Sequence, residues 1–458
     1  MTDHVVVVGA GVTGLAAGHE LAGASPAVRF ELLESDQRVG GMVGGGPVGP
    51  VVVDSGADGF LARQTEMTDL CRELDLGDDL VSPRTSRAYI WAGGDLRPIP
   101  TPSVLGVPLD PETLARSHIV SPTGLAEHRA SVARPHPPLV ADATIGDVLR
   151  PRIGDEVFEY LVDPLLGGIN AGSADEISIE ASAAALADGA REGGSLPAAL
   201  SSRSVPSEGP VFHGIRGGAM RIVSTLAESL GTRIATECSV RALERRGAGW
   251  EVTTSTGRTR RADAVLLTTP APVTAALIRP FAPAAAAELA AVELADVVLV
   301  TFVYPQHAVG REMDGSGFLV PRREGLLMTA CSWSSAKWEH YDDGDHAVMR
   351  VSAGRTDDGR WTDLDEETLI TRLRAELATT MAVEGTPVAV RVSRHASSLP
   401  QYRPGHLERM DSVADALAGA MPGVFATGAA FRGLGLPACV RQGRDAARAA
   451  LAHLELHR

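Results

Sequence analysis

The stretch from His4 to Ala22 constrains the chain more than any other. Val5 to Val8 form an uninterrupted apolar run, the mark of a strand buried on both faces of a parallel sheet. Gly9, Ala10, Gly11, Val12, Thr13 and Gly14 then make the turn G-x-G-x-x-G, and Leu15 to Ala22 has the apolar spacing of a helix packed back on the sheet. Without a Cβ, Gly9 permits the tight bend, Gly11 lets a pyrophosphate touch the backbone, and Gly14 lets helix and strand meet. The helix N-terminus adds free N–H groups and a partial positive charge. A second strand, Val28 to Leu33, ends at Glu34, twenty residues beyond Gly14, where an acid is expected to hold ribose hydroxyls. Strand, turn, helix and acid together predict dinucleotide binding in an α/β chain.

A length of 458 residues predicts two or three domains. No apolar run approaches the roughly 20 residues of a membrane helix, and no signal peptide is visible, so a cytoplasmic chain is expected. Cys71, Cys238, Cys331 and Cys439 stand far apart, which suggests neither a metal site nor a disulfide framework. A net charge of −15 argues against nucleic acid as a partner. It also means that an anionic substrate needs local arginines, because the overall field repels it.

Further along, Val51 to Asp54 reads as a short strand leading to a second glycine-bearing loop, Gly56 to Phe60. Thr65 to Leu76 reads as a helix with Met67, Leu70, Cys71 and Leu74 on one face. Tyr89–Trp91 and Leu96–Ile99 read as a hairpin leaving the cofactor domain. Pro122 to Leu200 is mainly helical in pattern and holds the glycine-rich stretch Asp163 to Gly172 between helices, which suggests backbone approaching a ligand, with a packing turn as the alternative. After a polar link, Arg203 to Pro210, come a helix over Arg221–Leu230 and strands at Thr236–Val240, Trp250–Thr253 and Ala264–Thr268. Val292 to Ala396 alternates strands (Asp296–Tyr304, Gly317–Val320, His346–Ser352, Val388–Ser393) with a helix over Glu366–Val383. Val424 to Gly428 is a last strand, followed by a glycine turn and a helix to about Leu454. The expected architecture is a Rossmann-like cofactor domain from residues 1–88, 210–290 and 395–458, an inserted helical domain at 89–209, and a mixed-sheet substrate domain at 291–394.

These residues resemble the flavin amine oxidase superfamily, through the N-terminal glycine turn, Arg38-Val-Gly-Gly41, the stretch ending at Val240, and Gly433-Leu-Gly-Leu-Pro-Ala-Cys439. Within it the chain is similar to the porphyrinogen oxidases of heme biosynthesis. That likeness rests on Gly56 to Arg63, Leu96 to Pro100, Ile153 to Val157, Asp163 to Gly172, Ala330 to His340 and Leu399 to His406. The Gly-Leu-Pro form near the C-terminus resembles the Gram-positive branch, which implies coproporphyrinogen III as substrate, with protoporphyrinogen IX as the alternative and an amine as a more distant one. The resemblance implies non-covalent FAD, molecular oxygen as acceptor and release of hydrogen peroxide. It assigns to FAD the residues Gly9 to Gly14, Glu34, Arg38, Gly41, Gly56, Ala57, Val240, Leu436, Pro437 and Ala438, and Ser35, Asp58, Gly428 and Gly435 beside them are expected to join the cofactor site. Gly59, Gln64 and Leu407 depart from relatives and bear on substrate orientation.

A porphyrinogen is an apolar macrocycle with carboxylates at its rim, so its pocket is expected to be large and apolar with a few charged anchors. Gly168 and Asn170 are the candidates beside the reacting carbon; Arg63, Arg87 and Arg97 are the candidate carboxylate anchors. His340, His395, His406 and Lys337, the one lysine, are expected to be structural or solvated. Weak peripheral membrane contact and hand-over of product to ferrochelatase are the open partner expectations. A non-catalytic flavin-bearing partner or heme chaperone is the alternative from another functional class.

Overall fold

The computed structural model describes residues 3–24, 28–203 and 209–457. Most of the polar link at 203–210 lies outside them. Three distant parts of the chain build one parallel sheet of five strands, in the spatial order Ile234–Ala235, Arg29–Leu33, His4–Val8, Ala264–Leu267, Val424–Ala426. Val5 pairs with Phe30 on one side and Ala264 on the other, which places the valine run in the middle of the sheet. Its side chains alternate between two cores, Val5 and Val7 in one and Val6 and Val8 in the other. Helices Val12–Ala24, Met220–Leu230 and Leu436–Leu456 cover the first face; Ala271–Ile278, Pro283–Ala290 and His406–Ala420 cover the second.

The expected strand at Thr236–Val240 is replaced by a crossing loop between two strands. Glu237 takes a left-handed φ of 53°, and the amides of Glu237 and Cys238 donate to Asp36 O and Glu34 O at 3.0 and 2.7 Å. Those bonds fold the loop over the end of the acid-bearing strand. Val240 instead starts Val240–Arg246, the first strand of an outer antiparallel sheet.

The second large sheet has seven strands, and Tyr89–Ala92 and Asp95–Pro98 form one edge of it. The hairpin expected with the helical segment therefore belongs here: Tyr89–Ile90 pairs in parallel with Phe318–Leu319, while Ile90 and Ala92 face the helical core. At the opposite edge, Ala389–Pro400 is a twelve-residue strand, running past the expected limit at 394. Helix Glu366–Met381 packs Leu369, Leu373 and Leu377 on one face of this sheet. Helices between Pro111 and Arg203 form a separate core around Phe158, Leu161 and Leu186. Their starts are capped as the sequence dictates, with Asp110, Ser121, Thr144 and Ser178 side chains accepting from backbone amides two or three residues on. No helix among the described residues is long and apolar enough to cross a membrane.

Candidate functional site

Gly9 has a φ of +100°, which an L side chain rarely adopts. A Cβ on Gly14 would come within 2.0 Å of Gly9 O, so the helix can begin at this strand only without one. Gly11 differs: a Cβ there would meet nothing nearer than Gly41 Cα at 4.0 Å. The protein itself leaves that cradle open, as a pyrophosphate resting on the backbone requires. Thr268, some 260 residues away, closes the turn from behind, its hydroxyl donating to Val8 O and Gly9 O at 2.9 and 3.0 Å.

Glu34 stands at the end of its strand with Oε2 accepting from Ala10 N at 2.7 Å and Oε1 from Asp36 N and Ser35 Oγ at 2.9 and 3.1 Å. The acid thereby also braces the glycine turn. Arg38 folds over the next loop, donating to Gly41 O at 2.6 Å and Val43 O at 3.0 Å. Gly40 N donates to Ala10 O at 2.8 Å, which stacks this loop on the first. Gly41, Met42 and Ala57 are exposed beside it, and a Cβ on Gly56 would reach 2.4 Å from Met42 O.

Behind Gly56–Asp58 lies a buried ion cluster. Asp58 faces Arg350 at 3.0 Å and Lys337 at 3.3 Å, and accepts from the Trp338 indole at 3.1 Å. These cations hold its carboxyl far below the usual range against the burial that would raise it. Arg350 also donates to Gly56 O. Asp58, expected to touch the cofactor, commits its side-chain oxygens to these cations and the indole, and so anchors the Gly56–Asp58 loop. Lys337 is bound in that ion pair. Nearby, Asp54 accepts from Ala219 N and Met220 N at 3.0 and 3.3 Å, at the start of helix Met220–Leu230, and from Tyr341 OH at 2.7 Å. Burial, the larger influence, raises its carboxyl above the usual range. His340 lies 4.2 Å from the Tyr341 ring, and burial lowers it to about 4; His395 Nε2 meets Ser55 O at 2.7 Å.

Asp163 to Gly172 is not a turn between helices. The chain runs as a widened helix with i→i+5 bonding over Phe158–Gly167 and continues through Asn170, before Ala171 turns left-handed. Pro164 sits inside it and offers no amide, which a widened helix tolerates. Asp163 accepts from Ala174 N and from Arg322, both at 2.9 Å, closing the segment on itself and on the seven-stranded sheet. Gly168 faces open space: a Cβ there would have no protein atom within 4 Å, and Ile169 beside it is 52% exposed. Asn170 is buried and donates to Leu166 O at 2.8 Å, so its side chain serves the helix. In the C-terminal loop, beside Thr13 of the first glycine turn, Gly428 has a φ of +126°, and Gly435 leads into helix Leu436–Leu456, whose first turn has Pro437 and no side-chain cap. Those uncapped amides, the open Gly11 and the exposed Met42–Ala57 surface fit a flavin dinucleotide.

Of the three candidate anchors, Arg87, just before the edge hairpin, is paired with Asp314; Arg97, on the hairpin, lies 3.8 Å from Asp95; and Arg63 is exposed beside a separate small sheet. Sequence reasoning missed Arg350, Asp54, Tyr341 and Thr268, whose partners lie hundreds of residues away and leave no local signal. Three of the four cysteines are buried, with the thiols of Cys71 and Cys439 pushed up to about 12 and 11 by burial.

A family model for flavin-containing amine oxidoreductases matches residues 12–451. The coproporphyrinogen III oxidase of Bacillus subtilis is 29% identical over 464 residues, covering 98% of each chain. That of Mycobacterium tuberculosis is 33% identical over 438 residues, covering 95% of this chain and 94% of its own. A crystal structure from Exiguobacterium sp. 255-15, named as a protoporphyrinogen oxidase, superposes with a TM-score of 0.89 at 30% identity over 99% of both chains. Cyclohexylamine oxidase from Brevibacterium oxydans, at 19% identity and a TM-score of 0.72 over the whole of both chains, shares the fold. The turn, the acid, the uncapped helix start and a match over nearly the full length agree: this chain belongs to the flavin-containing amine oxidoreductase family and is an FAD-dependent oxidase.

Proposed function

We propose that this oxidase converts a porphyrinogen to the porphyrin in heme biosynthesis, with coproporphyrinogen III the preferred substrate and hydrogen peroxide the reduced product of oxygen. The observation that carries the reading is the wall at Gly168–Ile169, open, uncharged and apolar, on a segment held rigid by Arg322. Such a surface suits a flat apolar macrocycle, and the full-length likeness to coproporphyrinogen III oxidases supports the choice.

Bound FAD supplies the acceptor for the two electrons lost from a methylene bridge in each of three steps. Gly9 to Gly14 and Arg38 would lie along the pyrophosphate, Glu34 and Ser35 at the ribose, Val240 near the adenosine end, and Gly41, Gly56 and Ala57 along the flavin. Gly428 and Gly435 to Ala438 would meet the flavin from the far side. The chain's own part is to hold the macrocycle against that surface and exclude water, and Gly168 bears on this by leaving room. Arg63, Arg87 and Arg97 remain the proposed carboxylate anchors; for Arg87 this means exchanging Asp314 for substrate. The domains are then a cofactor domain from residues 1–88, 210–290 and 401–458, a helical domain at 99–209, and a substrate domain at 291–400 to which the hairpin at 89–98 is added. The reading extends to a cytoplasmic enzyme that meets membranes weakly and passes its product to a ferrochelatase.

Turnover of tetracarboxylate and dicarboxylate porphyrinogens, followed by porphyrin fluorescence, tests the reading. Faster oxidation of coproporphyrinogen III is expected. A protein that reduces oxygen with amines and leaves both porphyrinogens untouched would refute it.

A further inference from the structure

One dipeptide touches both walls of the site just described. Gln401 and Tyr402 are each 2% exposed. Gln401 Nε2 donates to Asn170 O at 2.7 Å and to Leu399 O at 3.1 Å, so both amide hydrogens are committed. Its Oε1 has no hydrogen-bond partner and lies against Gly172, where a Cβ would stand 2.0 Å from it. The side chain is therefore oriented by what it gives to the Gly168–Asn170 wall. Tyr402 points the other way: its hydroxyl donates to Ala429 O and accepts from Gly433 N, the latter at 3.1 Å. Its ring lies 4.3 Å from that of His406, whose Nε2 meets Phe431 O at 3.0 Å. The backbone between them is pinned as well, Gln401 N to Glu293 O at 2.9 Å and Ser178 N to Tyr402 O at 2.7 Å.

We infer that Gln401 and Tyr402 are positioning residues that act as one strap, setting the gap between the Gly168–Asn170 wall and the 429–433 loop on the flavin side. This rests on the proposed function only for what the gap holds. The gap itself follows from the bonds. Neither residue reaches the open face. Each acts through the backbone of another segment, and a change at one end is transmitted to the other because the two residues are consecutive on a pinned backbone.

The test is hydrogen–deuterium exchange of the full-length protein carrying Gln401→Met or Tyr402→Phe. Each variant loosens its own wall under any reading. The strap predicts that Gln401→Met also speeds exchange of the 429–433 amides, and Tyr402→Phe that of 168–172, by at least about threefold. Change confined to the near wall in both variants would overturn the inference. Should Gln401→Met fail to fold, the effect of Tyr402→Phe on 168–172 decides alone. Anaerobic flavin reduction by coproporphyrinogen III gives the second readout. The maximal rate is expected to fall at least about tenfold with half-saturation within about twofold, the signature of misplaced rather than lost binding. A parent protein that no porphyrinogen reduces would sink the proposed function and leave the exchange result to decide the strap.

Discussion

Gly168→Ala separates stability from function. Gly168 has φ −63° and ψ −44°, an ordinary helical conformation, and a Cβ there meets no protein atom within 4 Å. The substitution therefore creates no clash and no strain. Replacing glycine by alanine inside a helix stabilises by about 0.5–1 kcal/mol, through the entropy the unfolded chain no longer loses. The added methyl stands where the substrate is proposed to lie, and a displacement of about 1 Å at a reacting centre can cost roughly a hundredfold in rate. The expected variant is equal or slightly higher in urea midpoint, carries a full complement of flavin, and is reduced by porphyrinogen about ten- to a hundredfold more slowly. Chemical denaturation followed by tryptophan fluorescence, with anaerobic stopped-flow of the flavin band, measures both. A variant as fast as the parent would remove Gly168 from the reacting surface. One destabilised by more than about 1 kcal/mol would show that the space around it is filled.

Asp58→Asn leaves the buried Arg350 and the half-buried Lys337 without their carboxylate and should cost about 3 kcal/mol, with flavin held less tightly. Adding Lys337→Met should recover part of that loss, and strictly additive losses in urea titrations would refute the coupling. Burial lowers His406 to about 4, below the unfolded value near 6.5. Its contribution to stability is thus complete above about pH 6.5 and lost as pH falls toward 4, by about 2 kcal/mol at pH 5, and His406→Gln should flatten that part of the urea-midpoint profile. Gly14→Ala drives a methyl to 2.0 Å from Gly9 O, so the purified protein is expected to hold less than about a tenth of the parent's flavin by absorbance. Tyr341→Phe removes the 2.7 Å bond to Asp54 and should cost about 1.5–3 kcal/mol, with the Asp54 carboxyl titrating still higher by pH-dependent unfolding.

Much of the cofactor half is legible in the sequence because its determinants are local. The valine run, the glycine turn and the acid twenty residues on lie within thirty-four positions, and the positive φ of Gly9 and the close approach of Gly14 to Gly9 O act within the bend itself. The strands at 264–267 and 424–426 and the final helix are legible for the same reason, as apolar runs with their own punctuation. The loop at 236–239 misleads because its apolar-polar alternation says nothing of the two backbone bonds that fold it over Glu34. The stretch 163–172 misleads because glycine and proline there suggest a break, while Arg322, Thr356 and Gln401 from other parts of the chain hold it helical.

What this sequence determined alone is the nucleotide turn and the order of its elements, since those depend on residues that touch across one bend. What only the tertiary structure decided is which distant residues meet: the cations behind Asp58, the open space at Gly168 and the bonds that tie Gln401 to Asn170 and Tyr402 to the 429–433 loop. Each joins residues well separated in the chain or depends on what lies opposite, and no local pattern encodes a partner that arrives only when the chain has closed.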